Sequence, residues 1–158
     1  MESPKGFSIA GHVIIAGFGL PGRAVAGVLE KLAVPYCVLE LNRQTVERAA
    51  KAGTHIVEGD VRDPQTLRSA GIDNARALII AIPDEKAATA ATHVARQLNP
   101  NIAIMSRTHY VSAGIEAHAQ GANVVVVAEQ VVAQEMSRRI EEMLSPAPAP
   151  TSIEIQTH

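Results

Sequence analysis

The residues best suited to chemistry in this chain lie in "VIIAGFGLPGRAV", residues 13–25. Gly17, Gly19 and Gly22 are spaced G-x-G-x-x-G between an apolar, β-prone run and a helix-like pattern. In that setting each glycine has its own task. Gly17 permits a tight turn, Gly19 lets a phosphate approach bare backbone, and Gly22 lets the next helix pack closely. A helix starting near Leu20 aims its unpaired N–H groups and the positive end of its dipole at the same space. Pro21 fits the first helical turn, where a missing N–H removes no intrahelical bond. Phe18 and Leu20, between the glycines, join them as candidate contacts. The motif points to a phosphate cradle, and its competing reading is a plain strand-to-helix turn.

Two further places extend the candidate site. Glu40 ends the run "YCVLE", 18 residues after Gly22. An acid at that distance can accept hydrogen bonds from both ribose hydroxyls and repels a 2′-phosphate, which disfavours NADP. Leu41 and Asn42 follow it, and Arg43 is either a 2′-phosphate contact or a solvated helix start. Arg23 either donates to the bound phosphate or is an ordinary exposed helix arginine. Gly59-Asp60, followed by Val61, reads as a turn at the carboxyl end of a strand, where open α/β sheets bind ligands. Asp60 either accepts from an adenine amino group or caps its own turn. The site therefore suits an adenine-bearing nucleotide without a 2′-phosphate.

Catalytic machinery is sparse. His12, His55, His93, His109, His118 and His158 are dispersed without metal-ligand spacing. His109-Tyr110 is the one acid–base candidate, and nothing nearby in sequence supports it. No G-x-S-x-G is present, and Tyr110 is followed by "VSAGI" rather than by a reductase-type lysine. No catalytic residue is assigned. The alternative to a binding module is a small NAD(P)-dependent oxidoreductase or a fragment of one.

The elements that must hold these residues alternate six times. β-rich runs occupy 12–16, 36–40, 55–59, 77–82, 102–106 and 123–127, with helix-like segments between and after them. Most runs are continuous in Val, Ile, Leu and Ala, which predicts parallel strands covered on both faces. Asp84 and Pro100 bound an alanine-rich helix, and Gly53 marks a helix stop. Right-handed crossovers then give a single-domain, Rossmann-like, doubly wound six-stranded parallel sheet. It spans 11–144, after a short N-terminal arm over 1–10. "SPAPAPTSIEIQTH", 145–158, reads as a Pro-rich linker or disordered tail.

Composition removes other classes. The 158 residues are 47% hydrophobic, enough for the core of one ordinary domain. No apolar run is long enough to span a membrane, and the first residues do not have the form of a signal peptide. A net charge of −2, no basic tract, and only Phe7, Phe18, Tyr36 and Tyr110 as aromatics argue against nucleic acid. The one cysteine, Cys37, lies in an apolar run and suits the cytosol as a buried thiol.

"HVIIAGFGLPGRAVAGVLE", "VLELN", "GDVRDPQTLRSAGIDNARALIIAIPDE", "NIAIMSRTHY" and "GANVVVVAEQ" together resemble the RCK N-terminal domain, also called TrkA-N or KTN. The similarity covers roughly residues 11–144, and "VLELN" and "SRTHY" look closest to domains at the C-terminus of KefB/KefC-type cation:proton antiporters. The resemblance implies a cytoplasmic regulatory domain at the inner face of the membrane. There it would bind NAD(H) or AMP, ADP or ATP and control a potassium channel or antiporter. It implies phosphates over Gly17, Gly19, Gly22 and Arg23, ribose on Glu40, and adenine beside Asp60. Asn42 stands where many members have a second aspartate, which leaves a contact there less defined. Ile82, in "IIAIPD", joins the candidate set, as does Arg107, which stands where relatives place an arginine near the phosphates or the dimer contact. Glu129 aligns with a glutamate that some relatives use to bridge a divalent cation; one carboxylate makes no metal site, and none is assigned. Related domains form two-fold dimers, so Met136 and Ile140, on the apolar stripe of the last helix, are expected at a homodimer contact. That stripe alternatively packs on the domain's own sheet.

Overall fold

A computed structural model of the chain describes residues 10–146. Nearly all of the expected arm and tail therefore lies outside the described residues. Strand and helix alternate as β1 (Val13–Ala16), α1 (Leu20–Lys31), β2 (Tyr36–Glu40), α2 (Arg43–Lys51), β3 (Ile56–Glu58) and α3 (Pro64–Ser69). They continue as β4 (Ala77–Ile80), α4 (Glu85–Leu98), β5 (Ala103–Thr108), α5 (Val111–Ala119), β6 (Val124–Val127) and α6 (Ala128–Leu144). A 3-10 turn at Ile72–Asn74 precedes β4.

All the strands are parallel, in the order β3-β2-β1-β4-β5-β6. This is the Rossmann-like doubly wound sheet expected from the sequence. The chain steps outward from β1 to β3, then returns to place β4 against the other side of β1. Connections leave β1 and β4 in opposite directions, so a crevice opens between them at the carboxyl edge.

Local chemistry brings helix starts to that edge. Asn42, Asp63 and Asp84 are the N-caps of α2, α3 and α4, accepting from the N–H groups of Thr45, Gln65 and Ala87 at 2.9–3.0 Å. Such a cap contributes about 1 kcal/mol. Gly53, with φ +87, follows α2 as the expected stop.

The core has two layers. Ile14, Cys37, Leu39, Leu78, Ile80 and Ile104 face α3, α4 and α5, where Leu67, Ala88, Ala91, Ala95 and Ala117 pack against them. The alanines keep α4 close to the sheet. On the other face Val13, Ile15 and Val38 meet Ala26, Val25 and Leu29 of α1. That second face is covered over only half of its width. β1 is buried along its whole length, whereas β5 buries Ile104, Ser106 and Thr108 and leaves Ala103 exposed. Val124 and Val126 of β6 are exposed as well. Continuous apolar composition predicted two covered faces for most strands. β5 and β6 depart from it because no helix of the described residues lies on their second face. α6 has no buried residue, with Met136 at 68% and Ile140 at 47% exposure.

Candidate nucleotide-binding site

The glycine loop closes the carboxyl end of β1. Gly17 has φ +94, a conformation other residues rarely adopt, and its N–H donates to the Leu39 carbonyl at 2.8 Å. A Cβ on Gly22 would lie 1.9 Å from the Gly17 carbonyl oxygen, so any side chain there would collide with the loop. Gly19, the N-cap of α1, is different. Its φ is −74, and an added Cβ would meet nothing within 4 Å. Gly17 and Gly22 thus answer to the fold, while Gly19 faces open space in front of the helix N-terminus.

Glu40 ties this loop to β2. Its Oε2 accepts from the Phe18 N–H at 2.9 Å and its Oε1 from the Asn42 N–H at 2.8 Å. A carboxylate offers about four acceptor sites, so each oxygen retains one for a further donor. Two neighbouring ribose hydroxyls supply donors of the right number and spacing.

Between the carboxyl ends of β1 to β4 lies a cleft of about 480 Å³. It gathers Gly17, Glu40, Leu41, Asn42, Gly59, Asp60, Val61 and Ile82 from the sequence-derived candidates. Leu39, Arg62, Pro83, Asp84 and Ala87 complete its lining. Leu39, Leu41, Val61, Ile82 and Pro83 give it apolar walls, as a base-sized ring requires. Three carboxylates, Glu40, Asp60 and Asp84, and one guanidinium, Arg62, supply its charge. Gly59 sits where a Cβ would meet the Thr66 side chain at 2.7 Å, so it sets the fit of α3 against the turn.

Asp60 caps its own turn and pairs with Arg62. Its Oδ1 accepts from the Arg62 backbone N–H at 2.9 Å, and its carboxylate meets Arg62 Nε and a terminal nitrogen at 2.6–3.1 Å. The Arg62 side-chain hydrogen bonds hold the Asp60 carboxyl below the usual carboxylate range.

Other candidates lie outside the cleft lining. Phe18 packs into the α1 side of the core, and Leu20 and Arg23 are exposed on the first turns of α1. Arg43 pairs with Glu47 at 3.1 Å along the outside of α2, as a solvated helix start does.

The TrkA-N domain pattern matches residues 13–128. This chain belongs to the TrkA-N domain family. It is 38% identical over 115 residues to the assigned K(+) efflux antiporter KefB of Alkalimonas amylolytica, covering 73% of this chain and 17% of that protein. The chain therefore spans only a small part of that relative's length. The crystal structure of the TrkA-N domain of inner membrane protein YbaL from Escherichia coli matches with a TM-score of 0.78. That match has 29% identity and covers 88% of this chain and 100% of that one. The crystal structure of GsuK bound to ADP matches with a TM-score of 0.75 and 28% identity, over 84% of this chain and 34% of GsuK.

In this TrkA-N domain Arg107 projects from β5 near His109, with 3.5 Å between a terminal nitrogen and Nε2. His109 in turn donates its backbone N–H to Glu85 Oε1 at 2.6 Å. This polar group lies beyond β4, and none of its three residues lines the cleft. Glu129 is exposed in the first turn of α6, and its backbone N–H donates to the His109 carbonyl at 3.1 Å. Among the described residues no three His, Cys, Asp or Glu side chains gather as a metal site would need, and no helix is long and apolar enough to cross a membrane. Sequence reasoning did not assign Arg62 or Asp84 to the cleft. Their signal was position: Arg62 lies two residues beyond the Gly59-Asp60 turn, and Asp84 two residues beyond Ile82 in "IIAIPD".

Proposed function

We propose that this TrkA-N domain senses an adenine nucleotide, NAD(H) or one of AMP, ADP and ATP, and controls a membrane-embedded potassium channel or cation:proton antiporter. The observation that carries this reading is the division of labour in the glycine loop. Gly17 and Gly22 are fixed by close contacts, Gly19 faces empty space at a helix N-terminus, and the Glu40 carboxylate is already held beside it. Phosphate lies over Gly17, Gly19 and Gly22, ribose on Glu40, and the base between the apolar walls near Asp60 and Val61. The relatives support the setting: one is an assigned K(+) efflux antiporter, and GsuK is a channel with a structure bound to ADP. The domain works at the cytoplasmic face of the membrane, where that transporter meets the nucleotide pool.

The output runs through a homodimer. The outer face of β6 exposes Val124 and Val126, and α6 exposes Val132, Met136 and Ile140. An apolar surface of this kind calls for a partner, and a second copy brings the same surface. A nucleotide that binds two dimer arrangements with different affinity shifts their balance and so biases the transporter. No group of side chains in the cleft is arranged as an acid–base pair, and the domain acts by binding rather than by turnover. Calorimetric titration of the purified chain with AMP, ADP, ATP, NAD and NADH tests the reading. Saturable binding of at least one is expected, and binding of none would refute it.

A further inference from the structure

Glu40 does more in this fold than stand ready for a ribose. Both of its bonds are to main chain: Oε2 accepts from the Phe18 N–H at 2.9 Å and Oε1 from the Asn42 N–H at 2.8 Å. Phe18 is the residue between the first two glycines of the loop. Glycine on either side leaves the Phe18 peptide little steric restraint of its own. Two contacts restrain it instead: the ring packs on the α1 side of the core, and Glu40 holds the N–H. The donors that a phosphate would meet follow directly in the chain. The Arg23 N–H donates to the Gly19 carbonyl at 3.0 Å and so begins the helical bonding of α1. The N–H groups of Leu20 and Gly22, ahead of it, have no intrahelical acceptor and are open to an anion. The charge of Glu40 itself opposes a phosphate there, through a repulsion that solvent screens at this partly exposed carboxylate. Its bond to Phe18 acts the other way, because a loop already fixed loses no conformational freedom when the ligand arrives.

We propose that Glu40 is a positioning residue for the phosphate end of the site as well as an acceptor for ribose: by holding the Phe18 N–H it presets the glycine loop. The inference rests on the nucleotide-binding reading above and deepens it. One side chain then serves two parts of the ligand, ribose by direct contact and phosphate through the loop. Removing the carboxylate relieves a repulsion, so any loss of phosphate affinity on its removal comes from the loop and not from charge. A ligand without ribose hydroxyls separates the two roles.

The test uses 2′,3′-dideoxyadenosine 5′-monophosphate, which keeps base and phosphate and lacks both ribose hydroxyls. It is titrated into the full wild-type chain and into Glu40→Ala, followed by amide chemical shifts, which read millimolar affinities as well as micromolar ones. Loss of the ribose acceptors cannot weaken this ligand. Glu40→Ala is nevertheless expected to bind it roughly tenfold more weakly, the lower value of a hydrogen bond to a charged acceptor. 2′,3′-Dideoxyadenosine, without the phosphate, is expected to bind both chains alike, which a general distortion of the cleft would not allow. Glu40→Gln has one acceptor oxygen for the two N–H groups and is expected to fall between wild type and Glu40→Ala; it carries the same comparison if Glu40→Ala does not fold. Dideoxy-AMP bound by the variant as tightly as by wild type, or more tightly, overturns the inference, while a loss of AMP affinity in that variant leaves the ribose contact standing. Equal weakening of the two dideoxy ligands also overturns it, as does a wild-type chain that binds AMP and not dideoxy-AMP. Failure of the wild-type chain to bind AMP overturns the binding reading and this inference together.

Discussion

The sharpest perturbation compares Gly19→Val with Gly22→Ala, two substitutions three positions apart in the same loop. At Gly22 the new Cβ would stand 1.9 Å from the Gly17 carbonyl oxygen, when real Cβ atoms hardly ever come within 3.0 Å of a neighbour. The backbone must open by at least 1.1 Å there, and the obstacle is main chain fixed by the Gly17 N–H to Leu39 bond. Overpacking of this kind costs about 3 kcal/mol, the upper part of its usual range, because no side-chain rotation relieves it. That is a large share of the roughly 5–15 kcal/mol that holds an ordinary domain together. At Gly19 nothing lies within 4 Å of the added Cβ and φ is −74, so valine fits the free protein. Losing a glycine N-cap costs less than about 1 kcal/mol. Its two methyl groups then occupy the space where a phosphate would approach the loop. Urea denaturation and AMP titration of both variants separate the effects. Gly22→Ala should lose several times more stability than Gly19→Val, and Gly19→Val should lose most nucleotide affinity while staying folded. Unchanged affinity in Gly19→Val would refute the phosphate cradle, and equal destabilisation of the two would refute the division of labour.

Glu40→Ala removes the two ribose acceptor sites and should weaken NAD and AMP by about tenfold or more, since bonds to a charged acceptor are worth roughly 1.5–3 kcal/mol. NADP should lose less, and a wild-type preference for NADP would mean that Arg43 leaves Glu47 to hold a 2′-phosphate. Light scattering should show a dimer that Met136→Asp with Ile140→Asp converts to monomer, and a wild-type monomer at micromolar concentration would remove the proposed output. Cys37 is fully buried, and burial pushes its thiol up to about 12. The unfolded thiol ionises near pH 8.5–9 while the folded one stays neutral, so the unfolded state binds fewer protons and stability falls as pH rises through this window. The fall should approach about 1.4 kcal/mol per pH unit from this group, and Cys37→Ala should flatten it in denaturant titrations between pH 9 and 11.

By itself the sequence determined the elements, their order and the glycine loop, because those features are local. An apolar run ending in glycines, an acid at the end of the next strand, and caps such as Asp84 are written in neighbouring residues. Six strand–helix repeats with right-handed crossovers then leave one natural sheet, and its switch point locates the cleft. What only the tertiary structure decided is how the side chains share their partners. The glycine pattern does not say which glycine is sterically forced; that depends on how near Gly22 comes to the Gly17 carbonyl. Gly-Asp at a strand end does not say whether the carboxylate is open; that depends on where the Arg62 side chain turns. Arg107 shares the carboxyl edge with the glycine loop but stands beyond β4 with His109, a separation fixed by strand order rather than by sequence distance. Val124 and Val126 read as ordinary strand core because composition records apolar surface, not what covers it. Their exposure follows from both α4 and α5 lying on one face of the sheet, which leaves the second face of β5 and β6 without a helix.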